Sequence, residues 1–548
     1  MPHSPKPPLL SMLKTVFLTS LLFTVPIVAG RFLGGFEGLE LSAYDRFLQQ
    51  RATETPDDRI VVMTIDDTDI ETLQQYPIHD STLAKALEKL VSYEPRAIGL
   101  DISRDVPQGP PDGRKRLAQV LQNNPSIISG CLLSIESHPG SPPAPGTAEG
   151  SVAFADFPGD RDGVVRRAKL LSTPGASKKP SKTQHPCNQV AEDNEIPSLS
   201  FLLAALYLEA FKITPQEGPN QTIRFGQTLF ERLSPTFAGY AHGEVNDYQI
   251  MLNYRGGEQK FQRFSISQVL QNQVNPRLVR DRVVLVGVTS EVSKDFLQTP
   301  YAQTELGFRN MFGVLVHAHA VSQILSAVLD DRPLIHSWSK VAEIAWIWGW
   351  ALGSGLIAFY TRKPGLFLLV VIGLGGALWG ICYGLFAYQG LWIPFVPVLS
   401  ALVLTAIGVR VVEMAERSGY AQAIAEQIRE QLLNRSPKGS RGDYLERLVQ
   451  RAKIARQGAE PDATAPSPDS AWNAIPPDMK ALREEMEAKI RQELAEKQKV
   501  LHSAGNSGDR LTRMQGLLNR AQHSRKQTPP LTLNSKIAEQ PLPEESND

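Results

Sequence analysis

Apolar residues follow two regimes along this chain. In four places they form long runs, and elsewhere they recur at helical or strand spacing between polar positions. The first run is "TVFLTSLLFTVPIVAG", residues 15 to 30, continued past Arg31 by "FLGGF". The others are Val341–Tyr360, Gly365–Tyr388 and Gly390–Val409. A helix needs about 20 apolar residues to cross the hydrocarbon core of a bilayer. The last two runs contain no charge, and the second holds only Glu343, near one end. Trp346, Trp348 and Trp350 in that run suit an interfacial belt. Residues 341–409 therefore read as three membrane spans. Residues 15–35 read as an anchor or, given Lys14 before the run and "IVAG" at its end, as a signal peptide. Either reading exports the region from residue 36 onward.

Residues 36–340 alternate strand and helix patterns. "EGLELSAYDRFLQQRA" sets Leu41, Tyr44 and Leu48 on one helical stripe. Strands are predicted at 60–66, 97–102, 126–132, 164–171, 248–254 and 283–289. Helices are predicted at 80–93, 112–123, 197–211 and 317–329. Apolar strands interleaved with amphipathic helices predict an α/β fold, a mainly parallel sheet with flanking helices. "VVLVGV" is apolar throughout, as a strand covered on both faces is. The Pro- and Ser-rich stretches 138–150 and 173–196 read as loops.

Charge changes this picture in one respect. Lys and Arg number 57 and Asp and Glu number 57, so no bulk positive charge invites nucleic acid. The basic residues nevertheless set an orientation. Lys6 and Lys14 precede the first run, Arg362 and Lys363 separate the second from the third, and Arg410 and Arg417 follow the fourth. All three flanks can be cytoplasmic only if residues 36–340 lie outside and the tail inside. Three cysteines, with no C-x-x-C pair, exclude a multi-cysteine zinc module. Cys382 lies in an apolar run, so Cys131 and Cys187 are the two free to pair in an oxidising compartment.

The candidate chemistry is carboxylate. "RIVVMTIDD" ends a strand in Asp66 and Asp67, and "RAIGLDIS" ends the next in Asp101. Thr289 and Ser290 follow the strand at 283–289. In an open parallel sheet these positions share the carboxyl edge, where ligands bind. Gathered carboxylates repel, and a cation, a proton or a hydrogen-bonding ligand would relieve them. The plainer role is capping of the following helices. A metal-dependent phosphoryl-transfer site fits poorly, since Glu71 stands where that pattern needs Thr. His317 and His319, two apart, do not share a helical face and read as packing rather than as a zinc pair. "DRDGVVRR", Asp160 to Arg167, reads as a tight turn into a strand, with Arg166 as a candidate anion contact.

The order of motifs resembles a known family. "AYD", "IVVMTIDD", "AIGLDIS", "DRDGVVRR", "SLSFLLAAL", "LNYRG", "FSISQVL", "RVVLVGVTSEVSKDFLQTP" and "GVLVHAHAVSQIL" succeed one another as in the second type of CHASE domain. That domain is an extracellular sensory module associated with cyclases and histidine kinases, and three spans typically follow it. The chain departs from the pattern at "YPIHD", where Asp80 replaces the usual Arg, and at His319, where a small polar residue is commoner.

The tail carries no catalytic signature of a cyclase or kinase. Residues 410–460 read as juxtamembrane helices with Met414, Ala421, Ile424 and Ile428 along a seam. Residues 461–476 read as a linker, 477–502 as a charged helix, and 503–548 as a polar, disordered segment. The expectation is a non-enzymatic, multi-pass sensor of the plasma (inner) membrane, without cofactor or metal. It has an unknown extracytoplasmic ligand, a second copy as homodimer partner and a cytoplasmic signalling partner. The alternatives are a structural or assembly membrane protein and, more distantly, a metal-dependent hydrolase in the exported region.

Overall fold

A computed structural model describes residues 9–417 except positions 53, 182, 192, 246, 302, 305, 306, 309 and 362. The N-terminal segment before residue 9, and the expected juxtamembrane seam, linker, charged helix and polar segment beyond 417, lie outside the described residues. Helix α1 (Leu9–Phe32) is followed by a turn at Gly34, whose φ of 84° suits a residue without Cβ. Helix α2 is Glu37–Gln50. Next in chain order are β1 (Ile60–Ile65), α3 (Asp67–Leu73), α4 (Asp80–Ser92), β2 (Ala97–Asp101), α5 (Pro111–Asn123), β3 (Ile127–Cys131) and β4 (Val152–Phe154). Then come β5 (Arg167–Ser172), α6 (Leu199–Glu209), β6 (Tyr248–Met251), β7 (Gln262–Ser265), α7 (Ile266–Leu270), β8 (Val283–Val288) and α8 (Gly313–Leu329). The chain continues as α9 (Lys340–Tyr360), α10 (Pro364–Gln389) and α11 (Val396–Arg417).

Six strands make one parallel sheet in the order β7–β1–β8–β2–β3–β4. Alternate residues of a strand face opposite sides. Val61, Met63 and Ile65 therefore pack with Leu83 and Leu87 of α4, Leu117 of α5 and Ile266 of α7, while Ile60 and Val62 pack on the side of α6 and α8. Gly287 lets α8 come close, because a Cβ there would lie 2.4 Å from the Val314 Cβ. Strand β5 leaves the parallel sheet and pairs antiparallel with β6 and with Ile196–Pro197. Cys131 and Cys187 are joined in a disulfide, and Cys382 is free and buried.

Among the described residues, four helices are long and apolar enough to cross a membrane: 12–32 within α1, then α9, α10 and 396–415 within α11. Helices α1, α9 and α11 pack together. The boundaries expected at residues 36 and 340 fall inside one continuous core. It runs from Ile60 and Leu285 in the sheet, through Tyr44 and Phe47 of α2, to Phe386, Trp392 and Ile347 among the spans. The Tyr44 and Trp392 rings pack tilted against each other, centroids 4.7 Å apart, and the Tyr44 hydroxyl donates to Leu252 O.

Candidate functional site

The carboxyl edge of the parallel sheet is built from the ends of β1, β8 and β2, which are neighbours in that order. Thr289 continues the ladder, its N–H donating to Ile65 O. The acidic residues on this edge form two groups rather than one.

The first group is a capping device. Asp66 is the N-cap of α3, its Oδ1 accepting from Asp69 N at 3.0 Å while Asp69 Oδ2 accepts from Asp66 N at 3.0 Å. This is a reciprocal capping box. Asp69 also accepts from Ser267 N, which ties α3 to α7. Ser290 Oγ donates to Asp67 Oδ1 and accepts from Val292 N. Burial raises the Asp66 carboxyl above its ordinary value, against the opposing backbone hydrogen bond from Asp69.

The second group surrounds Asp101. Its Oδ2 has no hydrogen-bond partner, and its Oδ1 lies 3.8 Å from His317 Nε2. Asp295 and Asp101 converge above the first residue of α8: a Cβ on Gly313 would lie 3.3 Å from Asp295 Oδ1 and 3.4 Å from Asp101 Oδ2. Burial, reinforced by Asp156, pushes the Asp101 carboxyl up to about 7. Burial and the neighbouring Asp101 raise Asp295 to about 6, against the pull of His317. Burial also raises Asp156, against the hydrogen bond its carboxylate accepts from Leu133 N. Burial drives His317 down to about 4, so the ring is neutral at pH 7 and its approach to Asp101 is not an ion pair. A site that carries carboxylates with this little compensation favours a bound proton or a hydrogen-bond donor. Among the described residues, no three or more His, Cys, Asp or Glu are placed to hold a metal ion.

Ser200, His317 and Asp101 form a chain: Ser200 Oγ is 2.8 Å from His317 Nδ1, and Nε2 faces Asp101. Ser200 sits on the apolar helix α6 and is 3% exposed. Its hydroxyl also points back to the His317 carbonyl at 3.4 Å. These contacts make it an anchor for the His317 ring.

Arg166 belongs to another network. Its guanidinium holds Asp45 of α2 through two bonds of 2.7 Å, together with Asp160 and Asp162. Asp160 in turn takes Arg167 and the Tyr240 hydroxyl. Arg166 is 1% exposed, and this network fastens α2 to the turn at 160–163 and the start of β5.

Of the predicted site residues, the edge thus brings Asp67 to Ser290 and places Thr289 beside the end of β1, while Asp101 keeps other company. Sequence reasoning missed Asp156 and Asp295. "VAFAD" ends an apolar strand in an aspartate, as β1 and β2 do, and that signal could have found Asp156. Asp295 comes after a loop and gives no such pattern.

The family model of the CHASE2 domain matches residues 20–356. No curated protein and no solved structure matches the chain.

Proposed function

The chain belongs to the CHASE2 domain family, and on that premise we propose that it is a membrane-anchored sensor whose exported domain passes its state through the membrane to the tail. CHASE2 domains are sensory domains of signalling proteins. The observation that carries the reading is the continuous core through α2: Arg166 grips Asp45 on its exported side, and Tyr44 and Phe47 pack on Trp392 and Phe386 at the spans. A rearrangement in the exported domain is thereby tied to the helices that leave it. The stimulus is taken at the Asp101 edge, as a proton or as a ligand that donates hydrogen bonds to Asp101 and Asp295. Residues 36–340 face outward and the tail is cytoplasmic, in the plasma (inner) membrane. The placement of Lys and Arg supports this, and so does the Cys131–Cys187 disulfide, which fits an oxidising compartment. The tail acts on a cytoplasmic partner without chemistry of its own. A second copy packs against α10, where a Cβ on Gly376, Gly380 or Gly384 would meet nothing within 4 Å.

A thermal-shift screen of the full chain in lipid nanodiscs tests the reading. A hydrogen-bond-donating solute should raise Tm in the wild type and not in Asp101→Asn. Turnover of a solute by the purified chain, abolished in Asp101→Asn, would overturn it in favour of an enzyme.

A further inference from the structure

Helix α11, the last span, begins at Val396. The first N–H groups of a helix have no partner within it. Here a side chain from the exported side supplies one. Glu40 of α2 accepts from Phe395 N at 3.0 Å and from Val396 N, both through Oε1. Glu40 is 1% exposed, and its Oε2 has no hydrogen-bond partner. The loop at 238–241 presses on the same spot: a Cβ on Gly239 would lie 2.8 Å from the Glu40 Cβ and 2.7 Å from Trp392.

The charged groups around Glu40 come from each helix packed there. Arg31 of α1 binds Glu343 of α9 at 2.9 Å and Ala238 O at 2.5 Å. Lys340 of α9 binds the same Glu343 oxygen at 2.9 Å. Both cations are thus engaged by Glu343. Cys382 of α10 faces Glu40, and Glu37 and Tyr44 flank it on α2, bonded to Ala241 N and Leu252 O. Ionised Glu40 is favoured by the pair of N–H groups, the dipole of α11 and Arg31 at longer range. It is opposed by burial and, less strongly, by the Glu343 carboxylate.

We propose that Glu40 is a proton-binding site that couples the exported domain to the last span: ionised, it holds the N-terminus of α11; protonated on the bare Oε2, it loosens that hold. This deepens the sensor reading and rests on it for its consequence in the tail. Protonation converts two charge-assisted hydrogen bonds into neutral ones of roughly half the strength. The balance is set near neutrality, because burial lifts this carboxyl to about 7 although Val396 N and Arg31 pull it down. As pH rises through that value the cap forms while a buried charge accumulates. As pH falls, the charge is relieved and the cap weakens.

The test is amide hydrogen exchange of residues 393–398 in the full chain in lipid nanodiscs, from pH 5.5 to 8.5, corrected for intrinsic exchange. Wild-type protection should rise about tenfold as pH passes 7, the size expected for regaining charge-assisted bonds. Glu40→Gln keeps the shape and an acceptor but cannot ionise, so its protection should stay at the low level throughout. The infrared band of protonated carboxyls that fades near pH 7 in the wild type, to which Asp101 also contributes, should lose its Glu40 component in Glu40→Gln. Flat protection in the wild type overturns the proposal without any variant, as does an unchanged pH step in Glu40→Gln. A tail that never responds to the exported side would defeat the sensor reading yet leave this titration in place, so the two failures are separable.

Discussion

At the scale of single residues, the carboxylates divide by what their oxygens find. Asp66 and Asp69 satisfy each other and are structural. Asp101 keeps an oxygen without a partner, beside Asp295. The folded carboxyls of Asp101 and Asp295, at about 7 and about 6, stand above the ordinary value of 3.8. The native state therefore holds more protons than the unfolded chain between those values. Stability is fully present below about pH 4 and is lost as pH rises through 6 to 7. The Tm of the full chain in nanodiscs should fall across that window, and Asp101→Asn should flatten much of the fall by removing one charge. An equal fall in the variant would show that other groups carry it. Arg166 makes the opposite case. Arg166→Ala leaves Asp45, Asp160 and Asp162 facing one another and should cost about 3–5 kcal/mol, read as a lowered urea midpoint. Sequence placed aspartates at strand ends because an apolar strand followed by Asp is a local pattern. It did not show that Arg166 faces Asp45, since 121 residues separate them.

At the scale of elements, β1, β2, β3 and β8 were legible because fully buried parallel strands are apolar from end to end, as Val283–Val288 is, whereas β4, three residues long, was too short to show a pattern. Strand β7 was not, since "QRFS" at the sheet edge carries one buried apolar residue, Phe264. Helix α3 was hidden by its length of 7 residues, too short to show a period. The amphipathic stripe of α2 was plain, but not its partner: Tyr44 and Phe47 meet aromatic residues more than 330 positions away. Trp392, 1% exposed, lies where Tyr44, Phe237 and Tyr240 meet. Trp392→Ala should cost about 3–5 kcal/mol. The loss should concentrate at the junction, seen as faster amide exchange in 37–50 and 391–398 with the sheet little changed. Uniform loosening of the sheet would place the joint elsewhere.

At the scale of the molecule, the α/β domain and the candidate spans share one core, so the sensor reading stands or falls on whether they respond as one. Met414, near the far end of α11, is 55% exposed and can be replaced by a labelled cysteine in a Cys382→Ala background. The direct measurement is the signal of that label in right-side-out membrane vesicles after a pH step from 8 to 5.5 applied outside only, with the interior buffered. A coupled molecule should show a change in the label that appears with the outside step, shrinks in Asp101→Asn and in Glu40→Gln, and is not produced by the same step applied inside. A label that ignores the outside step, or responds only to the inside one, contradicts the coupling.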